Sequence, residues 1–275
     1  GAIRVGVGLA TLGVAGMLYP ILAGRLVETT WLLLPHDMGA IRVEAAKVIL
    51  EKIEGYTALL VGPGLGKENG TQEFVHSLLV GKQAEAKRAR RIGFATETTT
   101  EETEPESPKL PPTVIDADAL NALAEIENWS ASLTAASAVL TPHPGEMARL
   151  LGSTTEAVQA DRVATAKSAA ETFGQVVVLK GANTVIAAPD GQIAVSPFAN
   201  PALATAGSGD VLAGAIVGFL AQGLSPFDAA ACGVYIHGLA GERARLEMGD
   251  AGVIAGDLLP QLPPAIQGIR LEGEM

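Results

Sequence analysis

Cysteine is almost absent from this 275-residue chain: Cys232 is the single one. That excludes an internal disulfide and any zinc site built on paired cysteines. It also fits a reducing, cytoplasmic setting. Cys232 sits in the apolar stretch AAACGVYIHG, so a buried, inert thiol is expected. Aromatic residues make up only 4% of the chain, which leaves Ala, Val, Leu and Gly to fill the interior. Such an interior suits buried parallel strands covered by small-residue helices. Positive charge is scarce as well. Nineteen Lys and Arg stand against 30 Asp and Glu, a formal net charge of −11. Nucleic acid is excluded as a partner on that balance, because its backbone is bound by clustered Lys and Arg. The one basic run, Lys87–Arg91, lies beside a polar loop and reads as a solvated helix end. No apolar window approaches the ~20 residues of a membrane span; Val211–Ala221 is among the longest. No signal-peptide pattern is visible. A Walker-type GxxxxGK[ST] and a GxSxG are both missing, and Gly62–Gly66 (GPGLG) does not match GxGxxG. P-loop, hydrolase-elbow and nicotinamide-fingerprint chemistry therefore have no support.

What is present is 48% hydrophobic, enough for one large core in a single domain over residues 1–275. Strand-like runs are Leu9–Val14, Thr30–Leu34, Thr57–Val61, Thr113–Ile115, Ala138–Leu140 and Val176–Leu179. Helical stretches include Ala40–Ile53, Thr71–Val80, Ala119–Ile126, Thr155–Phe173, Ser208–Gln222 and Pro226–Arg245. The alternation predicts an α/β fold, a mostly parallel sheet with helices on both faces. Thr184–Ala188 and Gln192–Val195 flank Pro189-Asp190-Gly191 and read as a hairpin. Residues 95–112, rich in Thr, Glu and Pro, have little to bury and are expected to form a disordered surface loop. Gly1–Gly8 reads as a helix end and a turn. A strand normally precedes such a helix, so the chain is expected to lack its first structural unit. Trp31 and Trp129 read as packing residues, and Tyr235 and His237 as core residues of an apolar helix. Asp257 is placed to cap a helix.

The densest signal is Asn200–Gly214, NPALATAGSGDVLAG. Gly207 and Gly209 flank Ser208 in a tight turn, Asp210 follows, and an apolar helix runs on to Gln222. A loop of this kind aims backbone N–H groups at one point, at the positive end of a helix. A carboxylate there is awkward beside an anion. Its presence makes sense if Asp210 takes the proton of a hydroxyl that attacks a phosphoryl group. An isolated GSGD would more often be a turn whose Asp caps the helix. The other strand ends reverse that balance.

Each remaining motif follows a strand, where open α/β sheets bind ligands. Gly62, Gly64 and Gly66 allow close backbone approach, or serve a tight strand–helix connection. Asp116 falls at a strand's carboxyl end and is open to a metal or phosphate role; Asp118 is expected to cap the next helix, with Asn121 in its first turn. In Thr141–Glu146, Pro142 and Pro144 fix the loop and hold His143 outward to meet a substrate. Glu146 either orients a metal-bound water or satisfies the helix N-terminus. Lys180 leaves a buried strand at the crevice, where it can neutralise phosphate.

Taken in order, GPGLG, VIDADALNAL, LTPHPGEMARLLG, VVVLKGANT and NPALATAGSGDVLAG resemble the NAD(P)H-hydrate dehydratase family of the ribokinase-like superfamily. The resemblance runs from about Leu9 to the C-terminus. It implies a three-layer αβα ribokinase-like fold lacking its first strand and Gly-rich turn. The implied reaction restores NADH or NADPH from the hydrated forms NADHX and NADPHX: a nucleotide phosphorylates the ring hydroxyl, and phosphate is then eliminated. On that model Asp210 is the catalytic base, and Gly207, Ser208 and Gly209 form the anion hole. Lys180, Gly181, Ala182, Asn183, Thr184 and Gly209 bind the nucleotide. Gly64, Gly66, His143 and Asp210 meet the hydrate, and Glu146 acts on Mg²⁺ through water. ADP or ATP is the co-substrate. The expected partners are these small molecules in a homo-oligomer, with neither nucleic acid nor membrane. A vitamin-precursor kinase of the same superfamily, or an inactive nucleotide-binding homologue, are the alternatives.

Overall fold

The computed structural model of the chain describes residues 1–81, 110–133, 135 and 137–273. The basic run 87–91 lies outside them, as does the expected loop 95–112 except for its last three residues. A short 3-10 turn, Ala2–Val5, leads to β1 (Thr11–Ala15), α1 (Tyr19–Ala23) and β2 (Thr30–Leu34). A small hairpin follows, β3 (His36–Asp37) against β4 (Ala40–Ile41), and then α2 (Glu44–Lys52), β5 (Leu59–Val61) and α3 (Asn69–Leu79). From residue 110 onward come β6 (Thr113–Ile115), α4 (Ala117–Ala124), β7 (Ala138–Leu140), α5 (Pro144–Leu150), α6 (Thr155–Ala160), α7 (Arg162–Phe173) and β8 (Val176–Leu179). The hairpin of β9 (Val185–Ala187) and β10 (Ile193–Val195) precedes α8 (Ser208–Ala221), α9 (Pro226–Met248), α10 (Ala255–Leu258) and α11 (Leu262–Gly273).

The central sheet has six strands in the order β10-β9-β8-β7-β6-β5. β5 to β8 run parallel, and the β9–β10 hairpin adds two antiparallel strands at the edge. Alternation of side chains sorts these short runs between two layers. Ile115, Leu140, Val177, Leu179 and Val185 enter the core shared with α3, α4, α5 and α7. Val114, Val139, Val176, Val178 and Ile186 enter the core shared with α8 and α9. Because both faces of the inner strands are covered, β7, β8 and β9 are apolar throughout, which is why the sequence shows unbroken apolar runs there instead of alternation.

Several expectations need correction. β1 and β2 do not join the central sheet; they form a separate two-stranded parallel sheet, Thr11 opposite Thr30 and Ala15 opposite Leu34. Their buried side chains, Ala15 and Leu34, nevertheless reach the large core. The expected single helix Thr155–Phe173 breaks at Asp161, which leaves the helical region (φ −147) and caps α7 by accepting the Ala164 N–H at Oδ1. Cys232 and Tyr235 are exposed on α9 rather than buried, because that helix is long enough to turn one face outward. Trp129 packs on Phe173 and Trp31 on Tyr19, as expected of packing residues. Asp257 accepts the Ile254 N–H at the start of α10.

The turn after β5 is the tightest point of the backbone. Gly62 has φ +136, and a Cβ built there would lie 1.7 Å from the carbonyl oxygen of Asp116. Backbone cannot yield as a side-chain tip can. Gly62→Ala should therefore cost roughly 3 kcal/mol or more through strain and overlap together. Thermal or denaturant unfolding checks it, and a variant as stable as the parent would contradict this account of the turn.

Candidate active site

Hydrogen bonding between the parallel strands continues past their ends and levels the loops. The Asp116 N–H donates to the Val61 carbonyl (3.1 Å), the Thr141 N–H to Ile115 (3.1 Å), and the Lys180 N–H to Pro142 (2.9 Å). Four loops thus begin side by side: Gly62–Gly66, Asp116–Asn121, Thr141–Glu146 and Lys180–Thr184. The N-terminus of α8 completes the row, with the Lys180 Nζ 3.4 Å from where a Cβ on Gly209 would stand.

Lys180 is not a solvated turn residue. Its side chain is only 17% exposed; Nζ lies 2.7 Å from Asp116 Oδ1 and 3.8 Å from Glu146 Oε2. Asp116 is fully buried and is the residue preceding α4, yet its side chain makes no capping bond. One oxygen is held by Lys180, while Oδ2 is buried with no protein partner. Asp118, expected as the cap of α4, instead sits in its first turn and accepts the Gly66 N–H across the crevice at 2.9 Å. The bond is possible because Gly66 turns at φ +87. Asn121 accepts a hydrogen bond from Arg149 at 2.8 Å.

His143 and Glu146 form a reciprocal cap on α5. His143 Nδ1 accepts from the N–H groups of Gly145 and Glu146, and Glu146 Oε2 accepts the His143 N–H at 2.8 Å. An accepting Nδ1 leaves the proton of the neutral ring on Nε2, which faces Glu146 Oε1 at 3.5 Å. The His143 side chain is half exposed while Glu146 is buried. The reading of Glu146 as partner of the helix N-terminus is realised, and the His143 ring remains half exposed.

In Gly207–Asp210, Gly207 takes φ +82 and the Asp210 N–H returns to its carbonyl at 3.1 Å. Ser208 is buried, and its Oγ meets His237 Nε2 at 3.2 Å. Asp210 reaches solvent, yet its carboxyl is held above the usual carboxylate range. Desolvation is the main cause, followed by the Asp116 charge; Lys180 opposes them and Asp118 adds to them. The lysine is largely neutralised by its own aspartate, so it does not cancel the upward shift.

Two cavities border the row. The first, about 590 Å³, is lined by His143, Lys180 to Ala182, Thr184, Phe198 to Pro201, Leu203, Ser208, Gly209 and His237, among others. Asn183 stands behind it, its Nδ2 donating to the Ser196 carbonyl. Phe198 and Leu203 lie flat on α9: a Cβ on Gly238 would come 2.1 Å from the Phe198 ring, and one on Gly241 2.6 Å from Leu203. The second cavity, about 820 Å³, is lined by Asp37 to Arg42, Gly64 to Gly66, Glu68 and Glu73. Of the residues expected to meet the hydrate, His143 borders the first cavity, and Gly64 and Gly66 border the second. Asp210 is in electrostatic reach of both walls, through Lys180 on one side and the Gly66-bound Asp118 on the other.

Some site residues carried no local signal. His237 is buried as expected of a core histidine, but it touches the anion loop and borders the first cavity. Phe198 and Leu203 form that cavity's wall through contacts with α9 that only the fold creates.

Burial drives the His237 pKa from 6.5 to about 4, against a smaller upward pull from the Ser208 backbone. The unfolded chain thus binds this proton before the folded one does. Stability from His237 is complete above about pH 6.5 and is lost as pH falls toward 4, by about 3 kcal/mol in all. In His237→Gln the part of the decline due to this residue should vanish. Unfolding free energies of both proteins between pH 7 and pH 4 measure it; equal slopes would contradict a buried, neutral histidine.

A family model described as NAD(P)H-hydrate dehydratase matches residues 1–264. The bifunctional NAD(P)H-hydrate repair enzyme Nnr of Moorella thermoacetica is 40% identical over 274 residues, 99% of this chain and 46% of its own length. An ADP-dependent (S)-NAD(P)H-hydrate dehydratase of Neisseria meningitidis is 46% identical over 160 residues, 58% of this chain and 53% of its own. The crystal structure of the ADP/ATP-dependent NAD(P)H-hydrate dehydratase of Bacillus subtilis, grown with ATP and Mg²⁺, is similar with a TM-score of 0.74 at 28% identity, covering 97% of this chain and 81% of that one. These neighbours make the fold ribokinase-like, as the order of motifs implied. The chain spans about half the length of the bifunctional relatives it matches. On the family match over nearly its whole length, the chain belongs to the NAD(P)H-hydrate dehydratase family.

Proposed function

We propose that this chain catalyses the ADP- or ATP-dependent dehydration of NADHX and NADPHX, restoring NADH and NADPH. The observation that carries the reading is Asp210, a carboxyl held above its ordinary range in the first turn of α8. It stands beside a loop that can receive a phosphoryl group, next to Gly209 of the first cavity's wall. Relatives named for this activity support it.

In the proposed reaction the nucleotide lies in the first cavity against Lys180–Thr184 and Gly209, and the hydrate enters from Gly64 and Gly66. Asp210 accepts the proton as the ring hydroxyl attacks the terminal phosphorus; the shortened nucleotide leaves. The C–O bond of the phosphate ester then breaks, phosphate departs with the electron pair, and the adjacent ring carbon gives up a proton to re-form the double bond. The N–H groups of Gly207 and Gly209 and the α8 dipole stabilise charge on the transferring group, while the Ser208 N–H is held by the Thr205 carbonyl at 3.3 Å. His143, on the wall of the first cavity with Nε2 carrying its proton, is placed to donate to an oxygen at the border between the ligands. His237 holds the Ser208 side chain while itself staying neutral.

Mg²⁺ is part of the proposal. Among the described residues no group of three or more His, Cys, Asp or Glu could hold a metal ion unaided. The donor set fits an ion carried on the nucleotide phosphates, with Glu146 acting through water and the unpartnered Asp116 Oδ2 behind it. When bound, Mg²⁺ would neutralise phosphate charge. The single cysteine suits a reducing, cytoplasmic setting. Among the described residues no helix is long and apolar enough to cross a membrane.

Incubation with NADH hydrate, Mg²⁺ and ADP or ATP should restore the near-ultraviolet absorbance of reduced nicotinamide and release inorganic phosphate. A stable phosphorylated product would instead identify a kinase. Asp210→Asn should retain the fold and nucleotide affinity but lose on the order of 10²–10⁴ in rate. Near-parental turnover in the folded variant would remove Asp210 from the chemistry.

A further inference from the structure

We propose that Arg162 is a positioning residue for the nucleotide donor, its guanidinium fixing the shape of the Lys180–Thr184 segment from behind. The inference rests on the donor reading above. Arg162 lines neither cavity. It is the first residue of α7, just after the Asp161 cap. From there Nη2 donates to the carbonyl of Leu179 at 2.9 Å, and Nη1 donates to the carbonyl of Ala182. One planar group therefore joins the last residue of β8 to the third residue of the loop beyond it. Two carbonyls at a fixed separation are what a rigid fork holds and a single ammonium does not.

The backbone between those carbonyls lies directly on the guanidinium. Gly181 has φ +145, and a Cβ there would come 2.9 Å from Nη2 and 3.1 Å from Cζ of Arg162. The Gly181 carbonyl is held in turn by Thr184 Oγ1 at 2.9 Å. Leu179, Gly181 and Ala182 thus all have their carbonyl oxygens bound inside the protein. This matters for an anion, which carbonyl oxygens repel. Because the peptide is planar, fixing the Gly181 carbonyl turns the Ala182 N–H the opposite way. Lys180, Gly181, Ala182 and Thr184 meanwhile present themselves to the first cavity. Burial lowers the Arg162 pKa and leaves its Nε without a protein partner. The fold therefore tolerates a partly desolvated cation at this point, and the cation stays charged in a chain of net charge −11.

Arg162→Ala removes both bonds; Arg162→Lys keeps the charge and loses the fork. Calorimetry with ADP and with ATP, and steady-state kinetics with NADH hydrate, should show one pattern. The Kd and KM for nucleotide rise about tenfold or more in Arg162→Ala and several-fold in Arg162→Lys. The KM for the hydrate, and kcat at saturating nucleotide, stay within about twofold. Gly181→Ala should weaken nucleotide binding in the parent by a larger factor than in the Arg162→Ala background, since the guanidinium it strikes is gone. If Arg162→Ala does not fold, the lysine variant and Gly181→Ala carry the test. Unchanged nucleotide affinity in folded variants, or equal losses in both KM values and kcat, would overturn the inference while leaving the donor reading intact. A parent protein that binds neither nucleotide would instead overturn the donor reading itself.

Discussion

An ion pair buried at the ends of two strands that are not neighbours governs the site. Asp116 directly follows β6 and Lys180 directly follows β8, with β7 between them. For Nζ to reach Oδ1 at 2.7 Å, the chain leaving β7 has to clear the gap. It does so through Thr141 and Pro142, whose backbone groups bond to Ile115 and Lys180 on either side. His143 then caps α5. The pair, the ladder and the cap constrain one another. Removing either charge leaves the other buried and unmatched, a loss of roughly 3–5 kcal/mol in comparable pairs. Replacement by apolar residues would spare that cost but would also take away the Lys180 ammonium beside the α8 N-terminus.

Charge placement explains how an acidic chain can receive polyanions. The average field of the molecule repels them, so attraction has to be local. In the proposed function it comes from the start of α8 and from Lys180 in the row of loops, with Arg162 at the start of α7 behind the Lys180–Thr184 segment. Carboxylates are nonetheless built into the same row. Glu146 is tied to the His143 N–H and lies near Lys180, and Asp118 holds the Gly66 N–H. Their charge is partly taken up by these partners, while Asp210 has no such donor among the bonds described above and carries the raised pKa. The same low-dielectric packing that makes the pair costly to break also makes Asp210 a better proton acceptor near neutral pH than a solvated aspartate.

Much of this was legible in the sequence, and for a physical reason. Strands covered on both faces are short and apolar throughout, and each ends at a polar or glycine signal. Gly62, Asp116, Thr141 and Lys180 therefore mark the site from the chain alone. Local chemistry also predicted Glu146 at the helix N-terminus and the β9–β10 hairpin, but not the capping bonds of the His143 side chain. What escaped depended on contacts between distant segments. Nothing near Asp118 indicates that Gly66 will claim its carboxylate, and nothing near His237 points to Ser208. Arg162 reads as an ordinary helix residue until α7 is packed beside the end of β8. The break at Asp161 was masked by apolar periodicity that continues across it. The separation of β1 and β2 from the main sheet is a matter of pairing, which no single strand encodes.

The wall formed by Phe198 and Leu203 on α9 has a further meaning. Each side chain rests on a glycine, Gly238 or Gly241, at a distance that excludes even a methyl group. A surface of this kind has no spare rotamers to lose. A ring sliding against it finds the wall already ordered, so contact there carries little of the side-chain entropy cost that usually offsets binding. A side chain added on α9 at Gly238 or Gly241 would strike this wall directly, while truncation of Phe198 would remove part of it without touching the helix backbone.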